Sequence, residues 1–386
     1  MTAQFDYAYA GTSIRVRCAE TSLLEWLNEF LAPWFDIEGR ADHDVLIEGN
    51  LDPGEYDRML ARGPAKDGGN LDWFSLDGHF ESHPRWESDG GGFLCHDEKR
   101  RVFYSFDPEE RVGGFVAEAD RASVRIGLLR LVRELATAHA LARGLIHIHG
   151  SAFARNGRGV VIIGAKTAGK TSLLINALGT GEVDFLTNDR LFIDAADVAE
   201  NGVGGRDAAI VGIGMPTIVN SRVGCLEMFP RQRELLRGTP YHRDLSRREC
   251  REGIRAKIRN ETRWPPSLSP AQFCEVLGVK AIRHAQLTSI VFPVISRDIE
   301  TFALEALDES VATEEIYAGV FRSATPQKIP EVFRNVSRES IPDESRVRRA
   351  ARTLARNLNC YRCLLGPEAY RDISLSREFV RQITSG

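Results

Sequence analysis

The stretch that most restricts this chain is Gly164-Ala165-Lys166-Thr167-Ala168-Gly169-Lys170-Thr171. It follows the phosphate-loop pattern G-x-x-x-x-G-K-[ST], and its flanks agree with that pattern. Val160-Val161-Ile162-Ile163 leads in as a buried, β-branched strand, and Thr171 to Leu178 leads out as a helix that stops at Gly179. Such a strand–loop–helix junction lets backbone N–H groups close around a polyphosphate, with the positive end of the helix behind them. The phosphate-binding candidates are therefore Gly164, Ala165, Lys166, Thr167, Ala168, Gly169, Lys170, Thr171 and Ser172. Within that set Lys170 reaches the transferred phosphate and the Thr171 hydroxyl is a ligand for Mg²⁺. The plain alternative is a glycine-rich strand-to-helix turn with an ordinary lysine.

At 386 residues the chain has room for two domains, and at 43% hydrophobic residues it has ample material for their cores. A net charge of −4 argues against a general nucleic-acid binder. The opening residues lack a basic, then apolar, leader, and no apolar run approaches the roughly 20 residues that span a bilayer. The cysteines number seven and are scattered, which fits reduced thiols and a cytoplasmic protein.

Residues 1–119 carry no recognisable chemistry. Ser13 to Cys18 alternates like a strand, and Thr21 is placed to cap a helix with Leu23, Leu24, Trp26, Leu27, Phe30 and Leu31 on one face. Val45-Leu46-Ile47 reads as a strand, and Phe93-Leu94-Cys95 with Val102 to Phe106 as a hairpin. Trp34, Trp73 and Trp86 read as core. This is an α+β module that could serve acceptor recognition. Asp120 then caps a helix from Arg121 to Ala142, with Val124, Leu128, Leu131 and Leu135 on a buried face and arginines opposite. The expected boundary falls just before that helix, so the second domain is 120–386.

Leu145 to Gly150 is a strand that turns His147 and His149 to one face. It continues to Ala154 and returns through a turn centred on Asn156-Gly157, so an antiparallel hairpin feeds the phosphate loop. Asp184 to Thr187 is the next strand, with Asn188-Asp189-Arg190 at its end. A carboxylate beside a phosphate loop is where a Mg²⁺-binding acid belongs, and Asp189 is that candidate. The alternative is an Asp satisfied by its own turn.

His149-Gly150, Asn156-Gly157, Gly164 to Thr171 and Asn188-Asp189 together resemble the HPr kinase/phosphorylase family, whose nucleotide-binding core is shared with phosphoenolpyruvate carboxykinases. The match runs from Leu145 to Asp194. The resemblance implies an α/β fold with a phosphate-loop-containing mixed β-sheet core of that type. It also implies a Mg²⁺-dependent kinase that takes ATP, or another nucleoside triphosphate, and a hydroxyl acceptor. That acceptor is a serine of a peptide or protein, or a small metabolite; neither nucleic acid nor membrane is a partner, and a homo-oligomer is compatible. Lys170, Asp189, His149 and Asn188 stand at the catalytic places, and Thr171 and Asp189 at the metal. One departure matters: the family's first acid is Asn188 here, and an amide cannot act as a base. A nucleotide-binding regulatory module or ATPase without transfer is the competing expectation. A carboxykinase-like enzyme would need a further Lys/His metal site, for which no second cluster is visible.

Arg231 to Arg263 is dense in arginine, either a clamp over anionic groups or a solvated face paired with Glu234, Glu249, Glu252 and Glu261. Ser289 to Ile295 is a buried strand, and Glu314 to Phe321 and Asp343 to Asn357 are helical. Leu358 to Leu364 resembles the last strand before the terminal helix of such kinases. Its Cys360 and Cys363 fall on opposite faces of that strand, against zinc or redox work.

Overall fold

The computed structural model describes residues 2–37, 39, 42–62, 70–74, 80–87, 92–120, 122–165, 168–194, 209–220, 267–321, 344–370 and 372–385. Two compact units result, Met1–Gly144 in one and Leu145–Phe321 with Asp343–Gly386 in the other. Both combine helices with a large mixed sheet, so the chain is α/β. The arginine-dense stretch from Arg231 to Arg263 lies outside the described residues, as does Trp264.

The first unit begins with β1 (Ala3–Tyr9) and β2 (Thr12–Cys18), joined through Ala10 and Gly11 at φ 48° and 79°. Two consecutive positive φ values match a tight hairpin turn to the strand twist. There follow α1 (Thr21–Leu31), β3 (Asp36–Ile37), β4 (Val45–Leu51) and α2 (Pro53–Arg62). Then come β5 (Asn70–Phe74), β6 (Phe80–Glu87), β7 (Phe93–Asp97), β8 (Val102–Asp107), β9 (Val112–Ala117) and α3 (Ala122–Ala142). The nine strands run β3-β1-β2-β4-β9-β8-β7-β6-β5. Only the β2–β4 and β4–β9 neighbours are parallel. The expected face of α1 is buried throughout, but Thr21 is not its cap: Glu20 holds that place and makes no side-chain cap bond.

The division falls after α3, whereas the sequence placed it before, at residue 120. The reason lies in packing: α3 lies on β2 and α1, and a Cβ at Gly127 would strike the Tyr104 hydroxyl. Covered on more than one side, α3 has no fully solvated face, and Arg130 and Arg133 are buried rather than exposed as expected.

The second unit starts with the hairpin of β10 (Ile146–Arg155) and β11 (Arg158–Ile163), turning at Asn156 and Gly157 with φ 52° and 80°. Next are α4 (Lys170–Gly179), β12 (Asp184–Thr187), β13 (Arg190–Asp194), β14 (Val211–Met215), β15 (Val219–Asn220), β16 (Ser267–Leu268) and α5 (Pro270–Leu277). The unit is completed by β17 (His284–Ile295), β18 (Phe302–Ala306), α6 (Glu309–Gly319), α7 (Glu344–Asn357), β19 (Asn359–Leu365) and α8 (Ile373–Thr384). The strand path is β11-β10-β13-β14-β17-β19-β18, and β11 also pairs with β17. That extra pairing closes β11, β10, β13, β14 and β17 into a ring. Leu287 of β17 packs where a Cβ on Gly159 or Gly212 would come within 2.8 or 2.7 Å of its side chain.

β11, β17 and β19 are mutually parallel and carry helices on both faces. On one face Val161, Ile163, Ile290, Phe292 and Cys360 pack with Ala312 and Ile316 of α6 and Val347, Ala351 and Leu354 of α7. On the other, α8 covers β11 and β17, with the Ser289 hydroxyl donating to the Ile383 carbonyl at 2.7 Å. Asn176 of α4 donates to the Ala369 carbonyl and accepts from Ser376, both at 2.7 Å, tying α4 to α8. The phosphate-loop segment thus leaves the carboxyl end of a parallel strand, where open α/β sheets put their ligands.

Candidate functional site

β11 ends at Ile163 and α4 begins at Lys170, so the whole turn is made in the residues between. Gly169 precedes the helix at φ 101°, a left-handed conformation that glycine adopts without a Cβ clash. A Cβ on Gly164 would lie 3.1 Å from that of Ala168, so the two ends of the loop close on each other. Lys170 is buried and its ammonium reaches back across the loop, donating to the carbonyls of Gly164 at 2.6 Å and Ala165 at 3.2 Å. Burial lowers its pKa, and Asp189 opposes that shift. Thr171 and Ser172 lie half-buried in the first turn of α4, while Ala165 is exposed. Lys166 and Thr167 lie outside the described residues.

Asn188 and Asp189 follow the last residue of β12, as expected, and lead directly into β13. β13 pairs with β10 through His149↔Arg190, and β12 resumes in the same alignment at Ala152↔Thr187. Asn188 and Asp189 therefore interrupt one continuous antiparallel partner of β10, opposite Ser151 and Gly150. The break is held by hydrogen bonds: the Gly150 N–H donates to the Asp189 carbonyl at 3.1 Å, and the Ser151 hydroxyl to the Asn188 carbonyl at 2.7 Å. The buried Thr187 hydroxyl lies 2.9 Å from the Arg190 carbonyl and 3.1 Å from that of Met215. Thr217 donates to the Asn188 side-chain carbonyl at 2.7 Å, so that amide is fixed in the wall.

Gly150 links these parts. On one side it pairs with Ile163, the residue before the loop; on the other it faces Asp189. A Cβ there would lie 2.9 Å from the Ile162 carbonyl, so only glycine lets the strands approach so closely. With adjacent strands about 4.8 Å apart, loop and acid are roughly 10 Å apart across the sheet. The Nδ1 of His149 stands 3.2 Å from Asp189 Oδ1, within ion-pair range, yet it is out of line for a hydrogen bond. Burial pushes the His149 pKa down, Lys170 and Arg190 push it further, and Asp189 opposes them. The net shift favours the neutral imidazole.

The four catalytic candidates lie on neighbouring strands and one helix start: His149 and Asp189 touch, Lys170 is close enough to feel Asp189, and Asn188 is turned to Thr217. Sequence reasoning passed over Thr217, for which no motif exists, and Phe321. The Phe321 ring stacks on His147 at 4.2 Å, meets His149 edge-on at 5.2 Å and lies under the Arg190 guanidinium at 5.8 Å. As expected, His147 and His149 share a face, and Phe321 covers it. Among the described residues no three His, Cys, Asp or Glu side chains converge as a cation cage. Mg²⁺ in phosphoryl-transfer sites is held by one or two protein oxygens, water and the phosphates themselves. The Thr171 hydroxyl and Asp189 carboxylate are oxygen donors of that kind, so the donor set fits.

No family model matches the chain, and no curated protein matches its sequence. Among solved structures it is similar to the Hpr(Ser) kinase/phosphatase from Coxiella burnetii, at 9% identity and a TM-score of 0.25, over 62% of this chain and 93% of that one. That likeness is weak. No helix among the described residues is long and apolar enough to cross a membrane.

Proposed function

We propose that the second unit is a phosphotransferase core that binds Mg-ATP, or another nucleoside triphosphate, and passes the γ-phosphoryl group to a hydroxyl acceptor. The acceptor is a serine of a peptide or protein, or a small metabolite. The observation that carries this reading is the placing of Gly150 between the two functional segments, with the loop and Lys170 on one side and Asp189 with His149 on the other. The loop N–H groups and Lys170 would cradle the β- and γ-phosphates, and Lys170 would stabilise charge on the group in flight. Thr171 and Asp189 would hold Mg²⁺, which supplies charge neutralisation between the β- and γ-oxygens. Asp189 is also the one carboxylate of the pair able to take the acceptor's proton, since Asn188 cannot. His149, 3.2 Å from that carboxylate, would tune its protonation.

The test is ATP turnover against peptide and small-molecule hydroxyl acceptors, comparing wild type with Lys170→Ala and Asp189→Ala. Lys170→Ala should abolish nucleotide binding, and Asp189→Ala should abolish transfer while leaving weakened binding. Equal activity in all three removes the proposal.

A second reading, a nucleotide-binding regulatory module or ATPase without transfer, is favoured by one feature: Asn188 is committed to Thr217 and Ser151. Calorimetric binding of ATP with no phosphorylated product in any acceptor screen would select it.

A further inference from the structure

The end of α6, Gly319-Val320-Phe321, touches three separate parts of the site. Gly319 lies against Ile163, the residue before the loop, so closely that a Cβ would overlap the Ile163 Cγ2 methyl. Val320 bridges Ile148, and the Phe321 N–H donates to the His147 carbonyl at 2.9 Å, so the segment is sewn to β10. The Phe321 ring then lies against His147, His149 and Arg190, although 37% of the residue remains exposed. A core phenylalanine is buried, as Phe192 is on the other contact of His147. This one stays at the surface with two imidazoles and a guanidinium for company.

The orientation of His149 needs an explanation that Asp189 does not supply, because their close approach is out of line for a hydrogen bond. An edge-to-face ring contact is directional and supplies it. We propose that Gly319-Val320-Phe321 is a clip that sets the phosphate loop against the His149–Asp189 pair, with Phe321 the positioning residue for the His149 ring. The inference rests on the phosphoryl-transfer reading for its functional meaning, but not for its structural content. One end of the clip bears on the strand that feeds the loop, and the other on the ring beside the acid. Loosening either end alters a different step: the loop end affects nucleotide binding, and the ring end affects transfer.

The experiment pairs Phe321→Ala, Phe321→Leu and Phe321→Tyr with Gly319→Ala. Imidazole nitrogen shifts of His149 are read by NMR at pH 8, where the ring stays neutral, alongside ADP·Mg affinity and the kcat and KM of ATP turnover. Phe321→Ala and Phe321→Leu should each move the His149 ring nitrogen shifts away from their wild-type values, as the ring leaves its place beside Asp189, and lower kcat about tenfold or more, leaving ADP·Mg affinity within twofold. Phe321→Tyr should restore both, and Gly319→Ala should weaken ADP·Mg binding instead. The leucine variant keeps an apolar plug, so the comparison survives if the alanine variant unfolds. Wild-type His149 shifts in Phe321→Leu overturn the clip. A wild-type protein that turns over no acceptor removes the transfer reading, and the His149 shifts then decide the clip by themselves.

Discussion

Gly150→Ala is the substitution on which local propensity and packing disagree most openly. Gly150 lies within β10 and its φ is not positive, so backbone preference favours alanine. Replacing a strand glycine by alanine is worth about 0.5–1 kcal/mol in stability by restricting the unfolded chain. Packing runs the other way. The new Cβ would sit 2.9 Å from the Ile162 carbonyl oxygen, 3.4 Å from Ile148 Cγ2 and 3.5 Å from Val161 Cγ1. The first neighbour is backbone, held in the β10–β11 pairing, and it cannot rotate away. Overpacking of this kind costs about 1–3 kcal/mol. The balance is a loss of about 1 kcal/mol, which is roughly a fivefold change in a local opening equilibrium at 1.4 kcal/mol per tenfold. Amide hydrogen exchange along β10 and β11 reads that opening directly. Gly150→Ala should therefore speed exchange there about fivefold and leave β1 to β9 unchanged. Relief of the clash moves the strand that carries Gly164, so ATP binding should weaken severalfold as well. Exchange as slow as wild type, together with unchanged ATP affinity, would show that the close approach is not a constraint.

His139 in α3 has its pKa lowered by burial first, with Arg111 adding and Asp44 opposing. Its Nε2 is buried without a hydrogen bond, so the neutral ring is the folded form. Above its ordinary pKa near 6.5 both states are neutral and nothing is lost. As pH falls through that value the unfolded chain takes up a proton that the folded one refuses, so stability drops. Urea midpoints of the first unit, followed by the fluorescence of the buried Trp26 and Trp34, should fall between pH 7.5 and 5.5, and His139→Leu should flatten that fall. Ser269 and Gln272 form a reciprocal cap at the start of α5, and Ser269→Ala should cost about 1 kcal/mol, seen as faster exchange of the first α5 amides. The Cys360 and Cys363 thiols are buried and pushed up to about 12. Neither should react with iodoacetamide in the native protein at pH 7.5, and added zinc should leave the melting temperature unchanged; prompt alkylation of either would refute that account.

What the sequence determined by itself is whatever depends on neighbours a few residues away. The strand–loop–helix junction at Gly164 to Thr171, the Asn156-Gly157 turn, the buried face of α1 and the opposed sides of Cys360 and Cys363 all follow from local backbone preference and the periods of helix and strand. Tertiary structure decided everything that depends on which strands meet. It folded the long arginine-bearing helix into the first unit and buried Arg130 and Arg133. It set the end of β12 and the start of β13 in one alignment on β10, with Asn188-Asp189 between them, and brought Thr217, Gly319 and Phe321 to the site from distant segments. The closing of β11 onto β17 belongs here too, since a parallel contact between strands so far apart in sequence leaves no local trace. Short-range signals are written in residue spacing; the pairing of remote edges is set by the burial the whole unit achieves, and only the folded chain carries that sum.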